Sequence, residues 1–223
     1  MPEGVNVFGY APKQLTLRQS LLAAISTMLV WGLEYYDIIL FVSLAPILEM
    51  YFFPSKAAIV SAIETWGAFA TTYFVRPIGA VIFGWVGDVR GRRLATISDA
   101  ALVGLATLAI GLLPTYRTAG VLAPILLYLM RALQGIGLGG EAGGGAAWAL
   151  ELTPKSIKPY INGVMYSGLS WAVFLTSFVT LSIKSAMPQT FSIYGWRILF
   201  ITGAIPANSL SNQALGLGIP RVD

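Results

Sequence analysis

Long apolar runs separated by short polar turns dominate the chain from Leu21 onward. A membrane-spanning helix needs about 20 mainly apolar residues. Runs of that order fall at Leu21–Leu48, Ala57–Val86, Leu94–Pro114, Val121–Leu152 and Ile161–Ile183, and a sixth starts at Ile198. None shows period-two alternation bounded by turns, which argues against a membrane barrel and for six helices. The pattern therefore predicts an all-α integral membrane protein. Residues 1–19 read as an N-terminal tail, 20–210 as the six-span bundle and 211–223 as an atypical C-terminal tail. The N-terminal stretch is polar and broken by Pro and Gly, without the basic start and short apolar core of a cleaved signal. The sixth run is defective, because Asn208, Ser209, Ser211, Asn212 and Gln213 crowd its second half. Polar groups facing lipid need partners. This last helix is expected to be shielded by a neighbour, or to be incomplete because the natural reading frame is lost near Pro206.

Composition sharpens the class. The chain is 56% hydrophobic and 11% charged, against about 25% charged residues in soluble domains. The net charge of +4 is small and spread over loops. No basic run with interleaved aromatics is present, so nucleic acid is not an expected partner. The chain contains neither Cys nor His. Disulfide, thiolate and imidazole chemistry are thereby excluded, and neither a metal nor a cofactor is expected. Any proton handled here must move on Asp, Glu, Tyr or water. With no nucleophile–base pair visible, an enzyme is not expected either.

Lysine and arginine positions predict orientation. Lys13 and Arg18, then Arg90, Arg92 and Arg93, then Lys155 and Lys158 fall on one side of the six spans. The opposite loops hold fewer: Lys56, Arg117, Lys184 and Arg197. A cytoplasmic N-terminus in a cell (plasma) membrane is the expectation. Tyr51, Phe52, Phe53, Tyr116, Tyr194 and Trp196 fall at the outer boundary, where amphipathic rings settle.

Ionisable groups at membrane depth are the candidate chemistry, since each costs about 2.5–3.5 kcal/mol on insertion scales. Glu34 and Asp37 lie three apart in the first span and so on one helix face. Two neighbouring carboxylates oppose each other's ionisation, which suits one of them to exchange a proton. Arg76 stands about ten residues, or about 15 Å, from the Val86 end of the second run, and Arg131 lies ten residues into the fourth. Either guanidinium is placed to pair with those carboxylates, or to hold an anionic solute by a two-pronged contact. A static ion pair is the plainer reading. Asp99 and Glu64 are read as structural, Asp99 beside Arg92 and Glu64 near the outer surface.

The fourth span is rich in glycine. Gly135, Gly139 and Gly143 recur every four residues, a spacing that lets another helix backbone come close. Gln134, Glu141 and Trp148 repeat every seven on a different stripe, which places Gln134 and Glu141 as candidates for a polar pathway. Gly135, Gly137 and Gly140 also match GxGxxG, but a dinucleotide site needs a preceding strand and a helix start, neither of which is expected within an apolar span.

FVRPIGAVIFGWVGDVRGRR (Phe74–Arg93) resembles the loop signature of the major facilitator superfamily between its second and third spans. WGLEYYD resembles the GNxxEWYDF element of that superfamily's metabolite:proton symporter family, RALQGIGLGGEAGG its RxxQGxxxGGEWGG fourth span, and YGWRILFITGAIPA its WRIPFLLGAIPA sixth-span element. The likeness implies a proton-coupled transporter of organic acids, amino acids or betaine-like solutes, working by alternating access between two six-helix bundles. Only the N-terminal bundle, a 3+3 inverted repeat, would be present. Its implied partners are the lipid bilayer, a small-molecule solute and protons, with a second six-helix half or a second copy completing the cleft. By the motif, Gly84, Asp88, Gly91, Arg92 and Arg93 would form a cytoplasmic latch, with Arg90 beside it because Val89 occupies the usual basic position. Glu34, Asp37, Arg131 and Glu141 would line or gate the pathway, joined as candidates by Arg76 and Gln134. The alternative is a non-transporting membrane partner protein or an inactive fragment.

Overall fold

A computed structural model describes residues 15–55, 57–141, 150 and 153–204, without the side chains of Val30, Leu33, Arg92, Arg93, Thr96, Ile97 and Glu141. Among the described residues there is helix and no strand. The helices are α1 (Leu17–Phe52), α2 (Ala58–Phe74), α3 (Arg76–Arg90), α4 (Arg92–Leu112), α5 (Tyr116–Ala119), α6 (Leu122–Glu141), α7 (Lys158–Tyr166) and α8 (Gly168–Ala186). A π-helical turn, Phe191–Gly195, then leads into a helix over residues 196–204.

These elements follow the expected apolar runs, with shifted ends. The first runs four residues further at each end than its apolar core, because Thr16 and Gln19 form a capping box at its start. The second span is two helices. Its break at Val75 has a direct cause: Pro77 sits at the start of α3 and has no N–H to continue the ladder. The fifth span is likewise α7 followed by α8, broken at Ser167. The fourth run was expected to reach Leu152; α6 is described to Glu141, and residues 142–149 and 151–152 lie outside the described residues. The sixth span starts two residues before Ile198, and its polar second half lies outside the described residues.

Leu17–Phe52, Ala58–Arg90, Leu122–Gly140 and Lys158–Ala186 are long and apolar enough to cross a membrane. In α4 only Ser98–Leu112 is apolar, because the helix starts on two arginines. Phe74, Ile78, Val81 and Trp85 on the second span, and Trp171, Phe174 and Phe178 on the fifth, are exposed. An apolar surface of that extent suits lipid rather than water.

Packing follows a repeated scheme. The fourth span lies against the second and third, through α6 on α3 and α4. The first span lies against the fifth, α7 and α8, and against the start of the sixth through Tyr36, Leu199 and Phe200. Each triplet thus has its first helix at the centre, which is the arrangement of a 3+3 repeat. Two apolar clusters close the ends. Tyr36, Leu40, Phe41, Leu44, Leu48 and Phe52 of α1 join Leu127, Trp196 and Phe200 in one; Ala24, Ile161 and Met165 form the other.

Three of the six rings expected at the outer boundary pack inward within the bundle. Phe52, Phe53 and Trp196 are buried, with Trp196 packed on Tyr51 and Phe52 at centroid distances of 5.9 and 5.7 Å. Rings of this size remove more apolar area when packed on one another than when left among headgroups, and that term prevails here. Tyr116 and Tyr194 remain exposed.

Glycine sets the closest approaches. A Cβ at Gly135 would overlap the Thr72 carbonyl, one at Gly139 the Arg76 carbonyl, and one at Gly79 the Ile136 carbonyl. The second and fourth spans therefore meet backbone to backbone. Gly143 lies outside the described residues.

Candidate functional site: two ion pairs at the bundle centre

The close approach of α3 and α6 and the central place of α1 bring the mid-span charges together. Arg131 donates from Nη1 to Asp37 Oδ2 at 2.6 Å and to Gln134 Oε1 at 2.8 Å. Gln134 Nε2 in turn donates to Asp37 Oδ1 at 3.0 Å and to Thr107 Oγ1 at 2.7 Å. The Thr107 hydroxyl itself donates to the Val103 carbonyl at 2.8 Å. Both oxygens of Asp37 are thereby held by two residues one turn apart on α6. The Arg131 guanidinium carbon sits 3.8 Å from the centre of the Phe41 ring, a cation–π contact. Its Nε and Nη2 find no hydrogen-bond partner among the described residues.

Glu34 pairs separately, with Arg76 Nη2. Arg76 lies 5.0 Å from the Tyr73 ring centre, and its Nε also lacks a partner among the described residues. Tyr73 is within electrostatic reach of Arg76, Glu34, Arg131 and Asp37 alike. One tyrosine is thus common to both pairs. Their exposure differs sharply: side chains are 1% and 9% exposed for Arg131 and Asp37, but 28% and 17% for Arg76 and Glu34.

Arg76 is also deeper than expected, since α3 continues fourteen positions past it to Arg90 rather than ending near Val86. Gln134 is fully buried against Asp37 and Thr107 rather than lining open space. The Glu141 side chain and Trp148 lie outside the described residues. Asp99 is buried, with Oδ1 accepting from the Ala100 N–H at 2.6 Å and its other oxygen against Gly140; the Arg92 side chain is not described. Glu64 is exposed, and its carbonyl accepts from the Tyr128 hydroxyl at 2.8 Å.

The loop candidates form a one-residue turn. Asp88 and Arg90 are exposed at the end of α3, Gly91 stands alone with φ +95°, and Arg92 and Arg93 open α4. That φ excludes a β-carbon without strain. Gly84 has open space where a Cβ would go.

Three residues of the site carried little sequence signal. Phe41 is one turn past Asp37, so helix spacing alone could have named it. Tyr73 precedes Arg76 by three. Thr107 is a single hydroxyl in an apolar span, and nothing in its neighbourhood marks it.

Comparison with known proteins bears on family and fold. Residues 21–212 match the model of the family described as sugar (and other) transporter. The chain is 33% identical over 189 residues to the shikimate transporter of Escherichia coli strain K12, covering 84% of this chain and 43% of that protein. It is 34% identical over 154 residues to a putative proline/betaine transporter of Staphylococcus aureus strain COL, covering 69% of this chain and 33% of that one. The chain therefore spans less than half the length of these curated relatives. In structure it resembles the inward-open xylose transporter of E. coli, with TM-score 0.67 and 17% identity over 88% of this chain and 47% of that one. These are transporters rather than enzymes, and the apolar helices are those of a multi-pass membrane protein. The chain belongs to the sugar (and other) transporter family of the major facilitator superfamily and corresponds to its N-terminal six-span half.

Proposed function

We propose that the protein carries out proton-coupled secondary transport of a small organic metabolite by alternating access. The six-span bundle supplies one wall of the pathway, and a second bundle, from another half or another copy, supplies the other. The observation that carries this reading is the placement of two carboxylate–guanidinium pairs at mid-span, between two apolar clusters. Buried charge in lipid is costly and persists where it has a partner or a task. Glu34 and Asp37 are the proton-exchanging candidates, and Arg131 steadies the ionised form of Asp37 or a bound solute. Gln134 and Thr107 fix the orientation of that pair.

The solute class follows from chemistry shared by the relatives. Shikimate, proline and betaine each carry a carboxylate, so an organic acid, amino acid or betaine-like zwitterion suits the arginines. The turn at Gly84, Asp88, Arg90, Gly91, Arg92 and Arg93 acts as a latch on the cytoplasmic side of the plasma membrane, with the N-terminus on that same side. Lipid bilayer, solute and protons are then the partners.

Reconstitution tests the reading. In the full-length protein, Glu34→Gln or Asp37→Asn should abolish uphill uptake while leaving solute exchange. Normal proton-driven accumulation in both variants would remove the carboxylates from the coupling. Absence of any uptake by the unaltered protein, with or without a proton gradient, would favour a non-transporting membrane partner.

A further inference from the structure

The two ion pairs are not equivalent, and the difference assigns separate tasks. Asp37 is saturated: Arg131 and Gln134 occupy both its oxygens, and the cluster is sealed from its surroundings. The Glu34–Arg76 pair rests on a single described hydrogen bond and is several times more exposed. A guanidinium offers five N–H donors in a planar fork, so Arg76 has donors to spare for a second carboxylate.

That residual exposure is not exposure to lipid. Within α3 the exposed large apolar residues are Ile78, Val81, Ile82, Trp85 and Val89. At 100° per residue these lie about 140–240° around the helix from Arg76. Arg76 instead shares the face of buried Gly79 and Phe83, which meets α6. The accessible edge of its guanidinium therefore opens toward the interior of the bundle, beside Tyr73.

Building on the transport reading, we infer that Arg76 is the carboxylate-binding group of the pathway and that Glu34 is its resident counter-ion, displaced when solute binds. A proton taken up by the Glu34 carboxylate neutralises it and releases Arg76. The solute carboxylate then takes the vacated donors. Return of Glu34 to the ionised form expels the solute and gives the proton to water on the far side. One proton and one carboxylate move together, no bond other than O–H forms or breaks, and Arg76 faces one carboxylate before the exchange and one after it. Tyr73, stacked on the guanidinium, keeps it oriented during the exchange.

The test uses full-length protein in proteoliposomes with an inward proton gradient. The probes are shikimate and glycine betaine, the methyl ester of each, and xylose. The unaltered protein should accumulate a carboxylate probe at least ten-fold faster than its ester. Arg76→Gln should erase that preference through KM, and Arg76→Lys should restore part of it. Glu34→Gln, read in solute exchange without a gradient, should lower KM for the carboxylate and flatten its dependence on pH between 5 and 8. Because these 223 residues contain no cysteine, Arg76→Cys adds the one thiol of this bundle, and the unaltered protein treated with the same reagents is the reference. Aminoethyl methanethiosulfonate, which rebuilds a cation there, should rescue carboxylate uptake, and the sulfonatoethyl reagent should not. If the unaltered protein accumulates only ester or sugar, or if Arg76→Gln keeps the carboxylate preference, the Arg76 assignment falls while transport stands. If it accumulates nothing, both fall. Should the Arg76 variants fail to reach the membrane, Glu34→Gln decides, and an unchanged pH profile overturns the assignment.

Discussion

Arg131 and Asp37, ninety-four residues apart in sequence, are joined by a hydrogen-bonded ion pair of 2.6 Å in the sealed centre of the bundle. Breaking such a buried pair by removing one member leaves an uncompensated charge, which costs about 3–5 kcal/mol. Replacing both members by apolar groups of similar size is often neutral. Asp37→Ala and Arg131→Ala should each lower the thermal midpoint of the detergent-solubilised protein strongly. Asp37→Leu with Arg131→Met should recover most of that loss yet remain dead in proton-driven uptake. Equal stability in the single and double variants would mean the pair contributes little to the fold.

Gln134 is the hinge of the same network, since it touches Asp37, Arg131 and Thr107 at once. Gln134→Leu strands one Asp37 oxygen, while the Thr107 hydroxyl keeps its bond to Val103, and a lost hydrogen bond to a charged group is worth about 1.5–3 kcal/mol. Thr107→Val removes only the last link, so its effect should be smaller, about 1 kcal/mol. Thermal unfolding of both variants checks the order. A larger effect at Thr107 would show that the network is anchored from α4 and not from α6.

Glycine contacts give a prediction of a different kind. Gly139→Leu forces a side chain into the Arg76 carbonyl, and overpacking of this sort costs about 1–3 kcal/mol or more. The second span carries Arg76 itself, so the same change should also disturb the Glu34 pair. Gly163→Ala meets open space and is the control. Fluorescence-detected size exclusion should find Gly139→Leu depleted and Gly163→Ala at the native level. Similar recovery of both would contradict the close approach.

At the basic turn the constraint is backbone rather than volume. A methyl group on Gly91 would meet open space, yet its φ of +95° with ψ of +142° lies where essentially glycine alone is comfortable. Gly91→Ala should cost about 1–3 kcal/mol despite the free space, and Gly84→Ala should not. Equal thermal midpoints for the two would remove the argument for a strained turn.

Much of this was legible in the residues themselves. The spans showed as apolar runs, and the mid-membrane charges stood out against hydrocarbon. Which carboxylate meets which arginine was not legible. Glu34 and Asp37 share a face at a spacing of three, and only the packing of α1 between α3 and α6 sends one to Arg76 and the other to Arg131. Which boundary aromatics pack inward was not legible either. Tyr, Trp and Phe suit an interface and a core equally, and Trp196 follows a π-helical turn that no periodicity announces. The Val75 break, by contrast, was written in Pro77.

The length of α1 has a mechanical consequence. Its 36 residues make a rod of about 54 Å, against a hydrocarbon layer of about 30 Å. The surplus does not hang free: near the Thr16 end, Ser20 is buried and receives a hydrogen bond from the Thr153 hydroxyl at 3.4 Å, in the segment that precedes α7. At the other end Phe52 is locked among rings with Trp196. Gripped at both tips, the helix carries Glu34 and Asp37 near its midpoint, and Pro46 interrupts its hydrogen-bond ladder between them and Phe52. The Ser20 grip and the two carboxylates therefore share one unbroken stretch of helix, and the Phe52 grip lies beyond the proline.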